Sequence, residues 1–161
     1  MEISMDLIKA LRESTGVSIM QCKKALEEAN GDMDKAKAVL LEKSAAAAEK
    51  KADRELGAGT IGSYVHGNGM AGAMVTLMCE TDFVSNNEEY RTLARDIAMH
   101  ITAMAPEAIS ETEREDIDSE LVLLNQPFIK NPEKTIKDML QEATQKFGEK
   151  VEVTNMSRFS V

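Results

Sequence analysis

Two runs of period-two alternation flank a cluster rich in glycine and asparagine, and no other stretch restricts the fold of this chain as strongly. Ile61, Ser63 and Val65 alternate with Gly62, Tyr64 and His66; beyond Gly67-Asn68-Gly69, Ala73, Val75, Leu77 and Cys79 alternate with Met74, Thr76 and Met78. Successive side chains of a strand point to opposite faces, so this pattern around a turn cluster predicts an antiparallel β-hairpin. A helix is predicted downstream, where Tyr90, Leu93, Ala94, Ile97, Ala98, Ile101 and Met104 recur at three- and four-residue spacing up to Pro106. Ser85, three residues ahead of Glu88, has the spacing of a capping box. Cys79-Glu80-Thr81-Asp82-Phe83-Val84 therefore occupies a strand-to-helix connection, with an acid beside a large aromatic. Two readings of it stand. Either Phe83 folds back as a core plug while Asp82 satisfies a turn amide, or the pair is functional, as loop residues often are.

Upstream, the spacing predicts three short helices. Ser4 caps the first, whose apolar side is Met5, Leu7, Ile8 and Leu11 and which ends at Thr15-Gly16. Ser18 and Gln21 repeat the capping-box spacing before Met20, Ala25, Leu26 and Ala29; Asp32 caps the third, with Met33, Ala36, Val39 and Leu40. Residues 1–45 thus form a small bundle, near the lower size limit for independent folding and better suited to docking than to catalysis. The Ala-rich, mixed-charge residues 46–56 read as an exposed helical connector. Residues 57–161 form the core: hairpin, helix, acidic segment, helix and final strand. Glu107 to Glu120 holds seven acids and only Arg114 as a base, a solvated loop or short helix. Thr135 and Asp138 have N-cap spacing for a helix through Ile136, Met139, Leu140, Ala143 and Phe147. Val151, Val153, Phe159 and Val161 then alternate with other residues in a strand that completes the hairpin's sheet. The fold class is α+β, a three-helix bundle followed by a small antiparallel sheet packed with helices.

Composition narrows the function. With 43% hydrophobic residues among 161 the chain folds, and 28 acids against 19 bases give a formal charge of −9 that repels nucleic acid and anionic membranes. Lys23-Lys24 and Lys50-Lys51 are offset by neighbouring Glu27, Glu28, Glu49 and Asp53. Cys22 and Cys79 form no CxxC pair, which leaves no zinc or redox motif and fits a reducing, cytoplasmic compartment. Glu2 and Asp6 stand where a secretory signal would be basic, and no apolar run has membrane-spanning length. Of the two histidines, His66 falls at the hairpin turn and His100 on a helix. A Cys79/His nucleophile is the only catalytic pairing, and Cys79 lies on an apolar strand face where a thiol is usually inert. His66-Gly67-Asn68-Gly69 joins two strands and opens no helix, so it is not a phosphate cradle. These features describe a partner-binding protein with no cofactor and no metal.

Several motifs resemble one family. Leu11-Arg12 to Thr15-Gly16, Cys22-Lys23-Lys24-Ala25-Leu26 and Ala29-Asn30-Gly31-Asp32 resemble the N-terminal module of translation elongation factor Ts. His66-Gly67-Asn68-Gly69, Cys79-Glu80-Thr81-Asp82-Phe83-Val84 and Gln126-Pro127-Phe128-Ile129-Lys130 resemble its core, in the same order. The resemblance implies a ubiquitin-associated-type bundle joined to an α+β core. It also implies guanine-nucleotide exchange on elongation factor Tu·GDP, with Thr81, Asp82, Phe83 and Val84 as the turn that dislodges the partner's magnesium. By the same resemblance Leu11, Arg12, Ile19 and Met20 contact the partner's nucleotide-binding domain, Ile19 replacing the more usual methionine. Only about twenty residues, Glu107 to Gln126, stand where many relatives have a second core repeat or a long helical hairpin. A short core leaves a homodimer as the alternative to a single working chain. The competing reading is a peptide- or ubiquitin-type binding module without exchange activity.

Overall fold

The computed structural model describes residues 2–161. The N-terminal bundle consists of α1 (Met5–Thr15), α2 (Ile19–Glu28) and α3 (Met33–Lys50). Each begins where a short polar side chain meets free amides: Ser4 Oγ accepts from Leu7 N–H, Ser18 Oγ from Gln21 N–H, and the Asp32 carboxylate from Asp34 and Lys35. Gln21 completes no capping box; its Oε1 accepts from the Ser18 hydroxyl. Gly16, at φ 71°, closes α1 by donating to Arg12 O. Ile8, Leu11, Cys22, Ala25, Leu26, Ala36 and Leu40 fill the bundle.

The third helix is longer than a bundle of this size requires. It runs unbroken to Lys50, so the Ala-rich stretch 46–56 is helical in its first five residues, and its side chains are exposed or half-buried throughout. Ser44 is fully buried and its hydroxyl donates to Gln145 Oε1. Small side chains let α3 lie against α6 (Ile136–Phe147), and Lys37 reaches Glu133 at 3.4 Å.

Strands β1 (Ala58–Val65) and β2 (Ala71–Cys79) form the expected hairpin, and β5 (Glu152–Ser160) adds to β2, giving the antiparallel order β1-β2-β5. Helix α5 (Glu88–Met104) covers one face of this sheet. Ala73, Val75, Leu77 and Cys79 meet Tyr90, Ala94, Ile97 and Ile101 there, and α6 adds Ile136, Leu140 and Ala143. On β1 the alternation has a less obvious sense: Gly62 faces the helix, whereas Ile61 and Val65 face outward. A Cβ on Gly62 would lie 2.3 Å from Ala94 O, so α5 sits closer to β1 than any side chain permits.

The expected cap of α5 is corrected. Helix α5 is capped by Asn87, whose Oδ1 accepts from Glu89 and Tyr90, because Ser85 belongs to an additional turn of helix, α4 (Asp82–Ser85). The acidic stretch is a series of 3-10 turns, Glu111–Glu113, Ser119–Leu121 and Leu123–Asn125, anchored by the buried Val122 and Leu123 with its acids outside. It leads to a two-stranded ladder that the alternation does not reveal, β3 (Pro127–Phe128) with β4 (Asn131–Thr135). Thr135 and Asp138 form the capping box of α6.

His100 fastens this segment from inside. Its Nδ1 accepts from Ile129 N–H at 3.2 Å, which leaves the proton on Nε2 to reach Gln126 Oε1 at 2.9 Å. Gln126 in turn donates to Glu120 O. Burial lowers the His100 pKa, only partly opposed by the Gln126 bond. With the folded value below the unfolded value near 6.5, this contribution is complete above pH 6.5 and is lost as pH falls through that window. Denaturant titrations at pH 7.5 and pH 5 should therefore show a smaller acid loss in His100→Asn than in the native chain, although the variant is less stable at pH 7.5.

Candidate functional site

The connection between β2 and α5 is a rigid, outward-facing turn. Thr81 O, Asp82 O and Val84 O accept from Ser85, Asn86 and Asn87, winding residues 82–85 into α4. Ser85 is buried and Val84 packs against the core, whereas Phe83 is 91% exposed. The core-plug reading is thereby excluded. Asp82 is exposed at the first position of α4. The carboxylate that satisfies the turn amides is that of Glu149, which accepts from Glu80 N–H at 3.2 Å and Thr81 N–H at 2.9 Å.

Both ends of the turn are braced. Before α4, the Thr81 hydroxyl donates to Glu149 Oε2 at 2.6 Å and the Cys79 thiol donates to Thr81 O. After it, Arg91 Nε donates to Ser85 O and its Nη2 to Asn86 Oδ1 at 2.9 Å. Beneath it, the Tyr90 hydroxyl donates to Leu77 O at 2.6 Å and the Tyr90 ring packs edge-on against Phe147. Glu80 accepts from Lys150 N–H and from Arg54. Desolvation would raise its pKa, but those donors outweigh it and hold the carboxyl below its ordinary value. Burial raises the Cys79 thiol, which with its carbonyl contact makes Cys79 a packing residue and no nucleophile.

The N-terminal residues separate into two groups. Leu11 is fully buried in the bundle core, so it supports the module's shape and is not part of an exposed patch. An apolar residue on the inner stripe of α1 must face its neighbouring helices. Ile19 and Met20 are 43% and 69% exposed at the start of α2, and Arg12 is exposed on α1. Arg12 and Met20 line a depression with Gly16–Ser18 and with Glu142, Gln145 and Lys146 of α6. An apolar cleft beside it is lined by Thr15–Val17, Leu93, Phe128, Met139 and Phe147. The C-terminal end of α6 is thus common ground: Lys146 borders the bundle's patch and pairs with Glu89 on α5, and Glu149 holds the Phe83 turn.

Glu149, Arg91, Glu80 and Arg54 carry this geometry and are absent from the sequence-derived set. Glu149 lies 68 residues from Thr81, beyond the reach of any local pattern. Among the described residues no cluster of three or more His, Cys, Asp or Glu is arranged to hold a metal, and no helix is long and apolar enough to cross a membrane.

An exposed aromatic on a braced turn, beside a helical module with its own apolar surface, describes an interaction protein, one that works by presenting side chains to another macromolecule. A family model for Elongation factor TS matches residues 10–121. Elongation factor Ts of Leptospira biflexa serovar Patoc is 42% identical, with 100% of this chain and 98% of the relative covered. The protein of that name from Thermodesulfovibrio yellowstonii is 42% identical (100% and 97% covered), and that from Carboxydothermus hydrogenoformans is 39% identical (99% and 89%). The chain belongs to the elongation factor Ts family of translation factors. The Leptospira alignment runs over 195 positions against the 161 residues here, so this is the shorter chain over the matched span.

Proposed function

We propose that this protein is a guanine-nucleotide exchange factor of the cytoplasm that binds elongation factor Tu·GDP, displaces its magnesium and promotes GDP release. The observation that carries this reading is Phe83, exposed on a turn too well braced to fold it away. Burying a phenyl ring yields about 1.5–3 kcal/mol, which this chain forgoes in isolation. A partner pocket that opens only when the nucleotide site is distorted would convert that energy into exchange. Magnesium demands near-ideal octahedral geometry, so small displacements of the elements around it release it. Thr81 sets the turn, Phe83 is the wedge, Val84 anchors the turn to the core, and Asp82 faces the partner near the metal. Arg12, Ile19 and Met20 supply a separate docking surface.

Linkage provides the test. If the chain weakens GDP binding by some factor, GDP weakens binding of the chain by that same factor. Affinity for elongation factor Tu, measured by calorimetry, should fall steeply as GDP and magnesium are added. Affinity independent of nucleotide would leave the plain peptide- or ubiquitin-type binding module in its place.

The working unit in this reading is a homodimer. Ile61, Val65, Met74 and Phe159 project from the sheet face opposite α5, with Val65 and Phe159 flanking Gly72. This uncovered apolar face lets a second short core complete the surface. Sedimentation should give a dimer at micromolar concentration and a folded monomer for Met74→Glu/Phe159→Glu; a native monomer would reject the dimer alone.

A further inference from the structure

We infer that Glu149 is a positioning residue that aims Phe83, a role that rests on the exchange reading. Four residues of helix have no stability of their own, so the direction of Phe83 is set by whatever holds the ends of α4. Thr81 occupies the N-cap position, where a threonine hydroxyl ordinarily accepts from an amide two or three residues on. Here it makes no such cap bond; the hydroxyl donates to Glu149 Oε2 at 2.6 Å instead. The other carboxylate oxygen accepts from Glu80 N–H and Thr81 N–H. Three donors from consecutive residues on one carboxylate fix both position and rotation of the chain entering α4.

The contact is reciprocal. Glu149 reaches into the loop after β2, and Glu80 from that loop accepts from Lys150 N–H at 2.7 Å. The two loops therefore exchange carboxylates, and Arg54 supplies a cation at Glu80. Glu149 binds the backbone that leads into α4 and Phe83, and Glu80 binds the backbone of the loop that carries Glu149. Because Glu149 follows α6 by two residues and Lys146 borders the Met20 depression, the same helix end orients the wedge and adjoins the docking patch.

A merely stabilising clamp and a positioning clamp differ in what they change. The test uses stopped-flow release of labelled GDP from elongation factor Tu, with Glu149→Ala, Thr81→Val, the double variant and Phe83→Ala in the full chain. Positioning predicts that Glu149→Ala lowers the maximal release rate roughly tenfold, while the concentration giving half-maximal release moves by less than about threefold. Thr81→Val keeps size on an exposed residue, so it folds; it should lower the maximal rate too, and the double variant should be no slower than Glu149→Ala. A native maximal rate for Glu149→Ala, additive losses, or a loss confined to half-maximal concentration would overturn the assignment. Phe83→Ala separates the levels. If it slows release while Glu149→Ala does not, the clamp alone is rejected; if it has no effect, the wedge and the clamp both fall, and if the native chain does not accelerate release at all, the exchange reading itself falls.

Discussion

Phe83→Ala is expected to slow GDP release from elongation factor Tu by roughly 10- to 100-fold at a fixed concentration of the chain. The estimate follows from the 1.5–3 kcal/mol of phenyl burial, realised only while the nucleotide site is distorted and hence lost from the transition state, at about 1.4 kcal/mol per factor of ten. The folded chain should be indifferent to the change, because the ring is 91% exposed and contributes no packing. Thermal unfolding of variant and native chain should coincide within about a degree or two. That separation is unusual for a phenylalanine: the same truncation in a core costs about 3–5 kcal/mol of stability. Unchanged release with unchanged stability would remove the wedge.

The second large effect is expected at the bundle. Ile19→Asp/Met20→Asp should weaken the complex by about 30-fold or more, the magnitude of losing an interface anchor of 2 kcal/mol or greater. The maximal release rate at saturation should stay near native, because the Phe83 turn is untouched. Aspartate is well chosen structurally. Ile19 and Met20 open α2, where a negative side chain complements the helix dipole, and both side chains point away from the bundle core. Removing residues 1–50 would be a poorer test, since α3 packs on α6 and its loss would strip the buried Ser44–Gln145 contact from the core. Titrating release rate against chain concentration separates the two results: the turn sets the plateau and the patch sets the midpoint.

Local chemistry made much of the fold legible in the sequence. Ser4, Asp32 and the Thr135–Asp138 pair announce helix starts because caps are decided within three residues, and the hairpin follows from period-two alternation around a turn cluster. The failures came where tertiary contact chose between equivalent local options. Both Ser85 and Asn87 are competent caps; Asn87 serves because α4 uses Ser85. The alternation on β1 does not say which face meets the helix; Gly62 does, because α5 approaches too closely for a Cβ. Leu11 belongs to a motif that also contains exposed residues, and only packing distinguishes it from Met20. At the candidate site, the turn and its aromatic were visible as adjacent residues. Their brace was not, because Glu149 and Thr81 meet only after the sheet and α6 have formed.

The most direct measurement is the rate at which labelled GDP leaves elongation factor Tu as this chain is titrated in. The rate is expected to rise with chain concentration to a plateau well above spontaneous release. A rate equal to spontaneous release at concentrations where the two proteins demonstrably bind would contradict it.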